Sequence, residues 1–183
     1  MYMKSVFFVL SLVAAFVLIA IAHQPLQGSD DDGGNQLLGK LAPEFASGNW
    51  INSSPQTMKG LKGKVVLVEF WTFECYNCRN TLPSVIKWSK EFADKDFVIV
   101  GVHTPELDRE RDFGELQKAV KRLGITYPVV TDNDYKTWNA YNQQYWPVMY
   151  LIDKKGIVQY IHIGEGNYDV TEQKIQGLLR ESS

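Results

Sequence analysis

The stretch Val65–Pro83, VVLVEFWTFECYNCRNTLP, decides the fold. Its first seven residues are β-branched or aromatic and too few for a helix, so Val65–Trp71 reads as a buried central strand. Glu69 interrupts the run, and a carboxylate inside such a strand needs a reason. From Tyr76 to Ala93 the apolar residues Leu82, Val85, Ile86 and Phe92 recur at helical spacing, with Pro83 as an internal kink. Cys75 and Cys78 therefore sit where a strand gives way to a helix. The positive end of a helix dipole and its free N–H groups stabilise a thiolate, which makes Cys75 the candidate nucleophile. Cys78, one turn later, faces back and can resolve a mixed disulfide.

Working outward, Phe97–Val102 reads as a second buried strand and Arg111–Leu123 as an amphipathic helix stopped by Gly124. Tyr127–Thr131 reads as a short strand, Tyr135–Tyr145 as a helix and Val148–Asp153 as a strand. Lys154-Lys155-Gly156 then turns into the strand Ile157–Ile163, and a last helix runs over Val170–Arg180. Strands alternating with helices, then a hairpin and helix, predict an α/β fold with a central mixed sheet flanked by helices.

At the N-terminus Lys4 precedes the apolar run Val6–Ala22, which ends in an Ala20-Ile21-Ala22 cleavage pattern. The reading divides the chain into 1–22 as signal peptide or N-terminal membrane anchor, 23–37 as a flexible linker and 38–183 as the folded domain. A run of 17 residues, apolar but for Ser11, is at the short end for spanning a bilayer, so a cleaved signal and a retained anchor are both open. Lys4 on the inner side and Asp30–Asp32 on the outer side set the same orientation in either case, with the domain outside the cytoplasm.

Composition excludes some classes. A net charge of −2 without a basic stripe lacks the footprint for neutralising phosphates, so nucleic acid is not an expected partner. The only two cysteines lie three positions apart, unlike the dispersed pattern of disulfide-stapled domains. A staple closing so short a loop would contribute only ~2 kcal/mol. A zinc site would need two more ligands, and His23, His103 and His162 lack paired spacing, so no metal is expected. A redox pair needs no bound cofactor, because the disulfide Cys75–Cys78 is itself the carrier.

The segment Val65–Pro83 resembles the active-site region of thioredoxin-like proteins, and the likeness extends over residues 38–180. It is similar to the exported TlpA/ResA-like thioredoxins, part of the wider redoxin group related to AhpC/TSA. The branch it most resembles is the DipZ type, through Trp71-Thr72, Cys75, Asn77-Cys78, GVHTPE (101–106), YPVVTDND (127–134), TWNAY (137–141) and YWPVMYLID (145–153). The resemblance implies a thioredoxin fold with the extra N-terminal and central elements of TlpA-like proteins. It implies that Glu69 is the buried carboxylate behind the cysteines, able to take the proton from Cys78 as it attacks. The bland reading of Glu69 is a side chain reaching a strand edge or a buried polar partner. It further implies that Trp146-Pro147 is the cis-proline element that docks substrate, and that Trp71 and Pro83 are structural neighbours of the site.

Two more residues bear on the site. Glu74 immediately precedes the nucleophile, where a negative charge opposes the thiolate unless it points into solvent. His103 ends the second strand, where it either faces the site or is a satisfied structural histidine, the latter being favoured. The functional expectation is an extracytoplasmic protein disulfide oxidoreductase, periplasmic or anchored in a bacterial inner membrane, acting as a reductase. Its electrons would come from a membrane donor of the CcdA/DsbD class and pass to client proteins with disulfides, apocytochromes c among them. Two alternatives stand beside it. One is a thiol peroxidase, since Thr72 gives a T-x-x-C, although Val68 stands where peroxiredoxins place a proline. The other is a non-catalytic binding module using the groove beside Pro147.

Overall fold

The computed structural model describes residues 35–181. The signal or anchor expected at 1–22, and the linker up to residue 34, lie outside the described residues. The end of the expected linker is ordered instead: Asn35–Leu37 form a 3-10 turn, with Leu37 packed against the core.

The strands are β1 (Trp50–Ile51), β2 (Val65–Trp71), β3 (Phe97–His103), β4 (Val129–Thr131), β5 (Val148–Ile152) and β6 (Val158–Ile163). The helices are α1 (Tyr76–Glu91), α2 (Phe113–Arg122), α3 (Lys136–Ala140) and α4 (Tyr168–Arg180), and a 3-10 turn spans Asp108–Arg111. The six-stranded sheet has the order β1-β4-β3-β2-β5-β6. β2, β3 and β4 run parallel, while β5, β6 and β1 are antiparallel to their neighbours, so the sheet is mixed as expected.

β2 is buried along its whole length because both its neighbours and both its faces are covered. Side chains alternate across a strand. Val65, Leu67 and Trp71 join the layer with Val85 and Trp88 of α1, Leu116 and Val120 of α2 and Ile175 of α4. Val66, Val68 and Phe70 face Met58, Leu61, Trp138 and Tyr141. Helices thus lie on both faces.

Several boundaries differ from the sequence reading for local reasons. The helix expected from Arg111 starts at Phe113, because Asp112 has extended backbone and accepts the N–H of Glu115 at 2.8 Å as N-cap. The helix expected over Tyr135–Tyr145 is only Lys136–Ala140, bracketed by Tyr135 (φ 58°) and Asn142 (φ 51°) in the left-handed region. The strand expected from Tyr127 begins at Val129, since Pro128 has no N–H for a ladder. β1 went unread because two residues carry no period. At the other sheet edge, Gly39 donates to the carbonyl of Val158 and Val158 to that of Lys40, stitching the start of the domain to β6.

Candidate active site

The site is built where β2 ends. Trp71 closes the strand, Thr72–Glu74 leave it, and Cys75 is the N-cap of α1 with φ −62° and ψ 120°. Cys75 and Cys78 are joined as a disulfide with Cα atoms 5.3 Å apart. The N–H of Cys78 donates to Cys75 Sγ at 3.1 Å, the capping geometry that favours negative charge on this sulfur. Cys78 is fully buried and Cys75 is partly open, so an incoming group meets Cys75 first. Pro83 is exposed on α1, five residues after Cys78.

Glu69 is fully buried on the face of β2 shared by Leu67 and Trp71, the layer that also holds Cys78. Its Oε2 accepts the phenolic hydroxyl of Tyr127 at 3.0 Å, and its Oε1 has no partner. Burial pushes its carboxyl up to about 8, with the Tyr127 hydrogen bond pulling the other way. The Tyr127 hydroxyl is itself pushed well above its ordinary range by burial and by Glu69. Gly101 is opposite Glu69 in β3. A Cβ there would meet Trp71 Nε1 at 2.8 Å and Tyr127 Cε2 at 3.2 Å, so only glycine leaves room for this trio.

The peptide Trp146–Pro147 is cis. Trp146 donates its Nε1–H to the carbonyl of Thr104 at 3.1 Å and packs on Trp138, ring centroids 4.1 Å apart. The carbonyl of Pro147 accepts the N–H of Gly164, which fastens this loop to the end of β6. Tyr76, next to Cys75 in sequence, is 68% exposed, and Tyr145, next to Trp146, is 54% exposed.

The two remaining sequence candidates belong to one network. Glu74 is not free: its carboxylate lies 3.2 Å from Arg109 of the 3-10 turn. His103 is fully buried, edge-on to Trp71 and stacked on Phe73, with Nε2 3.2 Å from Thr72 Oγ1. Burial lowers its pKa to about 4, against the pull of the nearby Glu110, so the ring is neutral at pH 7. Glu110 itself escaped the sequence reading. It is 1% exposed and accepts the backbone N–H groups of Glu74 (3.0 Å), Glu106 (2.8 Å) and Leu107 (2.8 Å). The only signal was an acid among Glu106, Asp108, Glu110 and Asp112, and nothing in that alternation says which one turns inward. Tyr127 was likewise read only as the start of a strand.

Comparison with known proteins agrees with this geometry. Residues 38–161 match the AhpC/TSA family. The chain is 43% identical over 136 residues to protein DipZ of Mycobacterium tuberculosis, an alignment covering 73% of this chain and 20% of DipZ, so it spans about a fifth of that relative. It is 25% identical over 133 residues to the thiol-disulfide oxidoreductase YkuV of Bacillus subtilis, covering 73% of this chain and 89% of YkuV. A crystal structure of a thioredoxin-like superfamily protein superposes with a TM-score of 0.74 at 27% identity, over 78% of this chain and 98% of the other. This chain belongs to the AhpC/TSA family, and it carries the CxxC pair Cys75–Cys78 at the strand-to-helix turn of a thioredoxin-like fold.

Proposed function

We propose that the protein is an extracytoplasmic reductase of client disulfides. The Cys75 thiolate attacks a client disulfide, forming a mixed disulfide and releasing one client thiolate. Cys78 gives its proton to Glu69 and attacks Cys75 Sγ, releasing the second client thiolate. The client gains two electrons, and the Cys75–Cys78 bond forms. Glu69 then holds the proton, which suits a carboxyl pushed up to about 8 in the disulfide form. When a donor reduces the pair, the same proton returns to Cys78. The Trp146–Pro147 loop supplies the surface on which an extended client segment lies. A membrane donor of the CcdA/DsbD class recharges the pair, and apocytochromes c are fitting clients because haem attachment needs their free thiols.

The observation that carries the reading is the Cys75–Cys78 disulfide at the N-terminus of α1 together with the Glu69 carboxyl buried on the adjoining strand, a nucleophile and a proton carrier in one site. The extracytoplasmic setting draws on the apolar N-terminal run and on the likeness to DipZ. Equilibrating the domain at pH 7 against glutathione or dithiothreitol buffers and trapping free thiols tests the reading. A potential near or below roughly −230 mV supports it, and a value near −120 mV reverses the electron flow and sinks it. The peroxidase alternative loses its main support, since the Thr72 hydroxyl is engaged with His103 and Glu110.

A further inference from the structure

Reduction of the pair breaks the Sγ–Sγ bond and adds two electrons and two protons. It also removes the covalent tie that holds Cys75 at the head of α1. What then keeps Cys75 as N-cap is the backbone leading into it, and among the described residues that backbone is anchored by the side chain of Glu110. Glu110 Oε1 accepts the N–H of Glu74, while Oε2 accepts those of Glu106 and Leu107. One carboxylate therefore joins the loop entering the CxxC turn to the loop leaving β3, 36 residues apart in sequence.

The protonation pattern suits a permanent anchor. Burial alone would raise the Glu110 carboxyl. Hydrogen bonds from the Thr72 hydroxyl and from the N–H groups of Leu107, Glu74 and Glu106 outweigh it and hold the carboxyl below its ordinary range. Because the ionised group only accepts, the Thr72 hydroxyl must donate to it, so Thr72 Oγ1 takes the Nε2–H of His103. His103 Nδ1 is left as a bare, buried acceptor. A directed chain from His103 through Thr72 to Glu110 braces the anchor from below.

We propose that Glu110 is a positioning residue for disulfide exchange, holding the Glu74 N–H so that Cys75 keeps its N-cap geometry when the disulfide is open. Its contribution is larger in the dithiol form, because in the disulfide form the Sγ–Sγ bond already fixes Cys75. The inference concerns the Cys75–Cys78 couple itself and is independent of the direction of electron flow.

The test is the urea unfolding of Glu110→Gln and wild-type protein, each in oxidised and in dithiol form, at pH 5. The thiolate fraction is smaller at pH 5 than at pH 7, so relief of charge repulsion by the lost anion contributes less there. The expected result is a greater loss in the dithiol form than in the oxidised form. By the thermodynamic cycle, this shifts the redox equilibrium constant at least tenfold toward the disulfide, equivalent to about 30 mV. An equal loss in both forms, or a greater one in the oxidised form, overturns the proposal and leaves Glu110 a plain loop fastener. Thr72→Val removes one hydrogen bond from the same carboxylate at constant shape. It must give a smaller shift of the same sign, and it decides the matter if Glu110→Gln does not fold.

Discussion

Tyr127 donates its hydroxyl to Glu69 Oε2 at 3.0 Å across 58 residues of sequence, and it is the one hydrogen bond given to a carboxyl otherwise enclosed by apolar side chains. The phenol therefore tunes the proton carrier behind the cysteines. In Tyr127→Phe the carboxyl loses the bond that favours its ionised form, so its pKa climbs above about 8. A carboxyl-edge infrared titration should show the rise, and stability should fall by about 1–3 kcal/mol for the stranded acceptor. An unchanged titration would mean that the hydroxyl has no hold on Glu69.

Glu69 also makes stability depend on pH. Its folded pKa is raised to about 8 from the ordinary 4.5, so between these values the native state binds a proton that the unfolded chain has lost. Its contribution is intact below about 4.5 and is lost progressively as pH rises to about 8. Glu69→Gln should remove this slope and gain on the order of 4 kcal/mol relative to wild type between pH 5 and pH 8. Urea midpoints of the oxidised proteins at several pH values measure it, and parallel profiles would count against a protonated Glu69.

Gly101 and Gly177 make a matched pair. Gly101→Ala drives a methyl against Trp71 Nε1 and Tyr127, and the overpacking should cost about 1–3 kcal/mol. Gly177 sits inside α4 with nothing within 4 Å of an added Cβ, so Gly177→Ala should stabilise by about 0.5–1 kcal/mol. Thermal melts of both variants should move in opposite directions.

Arg109 balances the acid beside the nucleophile. In Arg109→Gln the Glu74 carboxylate is unopposed, so the Cys75 thiol should ionise at higher pH and attack a model disulfide about two- to threefold more slowly at pH 7. Both partners are partly solvent-exposed, so the difference should shrink in 1 M salt. Stopped-flow rates at two ionic strengths check this, and a salt-independent difference would point away from electrostatics.

How much of this was legible in the sequence depends on distance along the chain. β2, the cysteine turn and α1 were readable because an unbroken apolar run changes to helical period within one segment. β5 and β6 were readable through the turn between them. α3 was misjudged in length because Tyr135 and Asn142, both non-glycine, adopt left-handed backbone that propensity does not foresee. The cysteines and Glu69 stood out by type and place, and Trp146–Pro147 through the family resemblance. Glu110 and Tyr127 did not, because their importance lies in partners that only the folded sheet brings near.

The stitching of Gly39 and Lys40 to Val158 bears on the order in which the chain can be completed. A chain emerging from its N-terminus has no partner for residues 39–42 until nearly 120 residues later, when β6 arrives. Closure of that edge is therefore a late event, dominated by contacts distant in sequence, and such contacts slow folding. Fragments ending before Val158 should leave this seam open, exposing the backbone of the domain's first segment and the antiparallel side of β5 to proteases. A chain whose first ordered segment is sealed only by its sixth strand completes its fold after nearly all of it has been made.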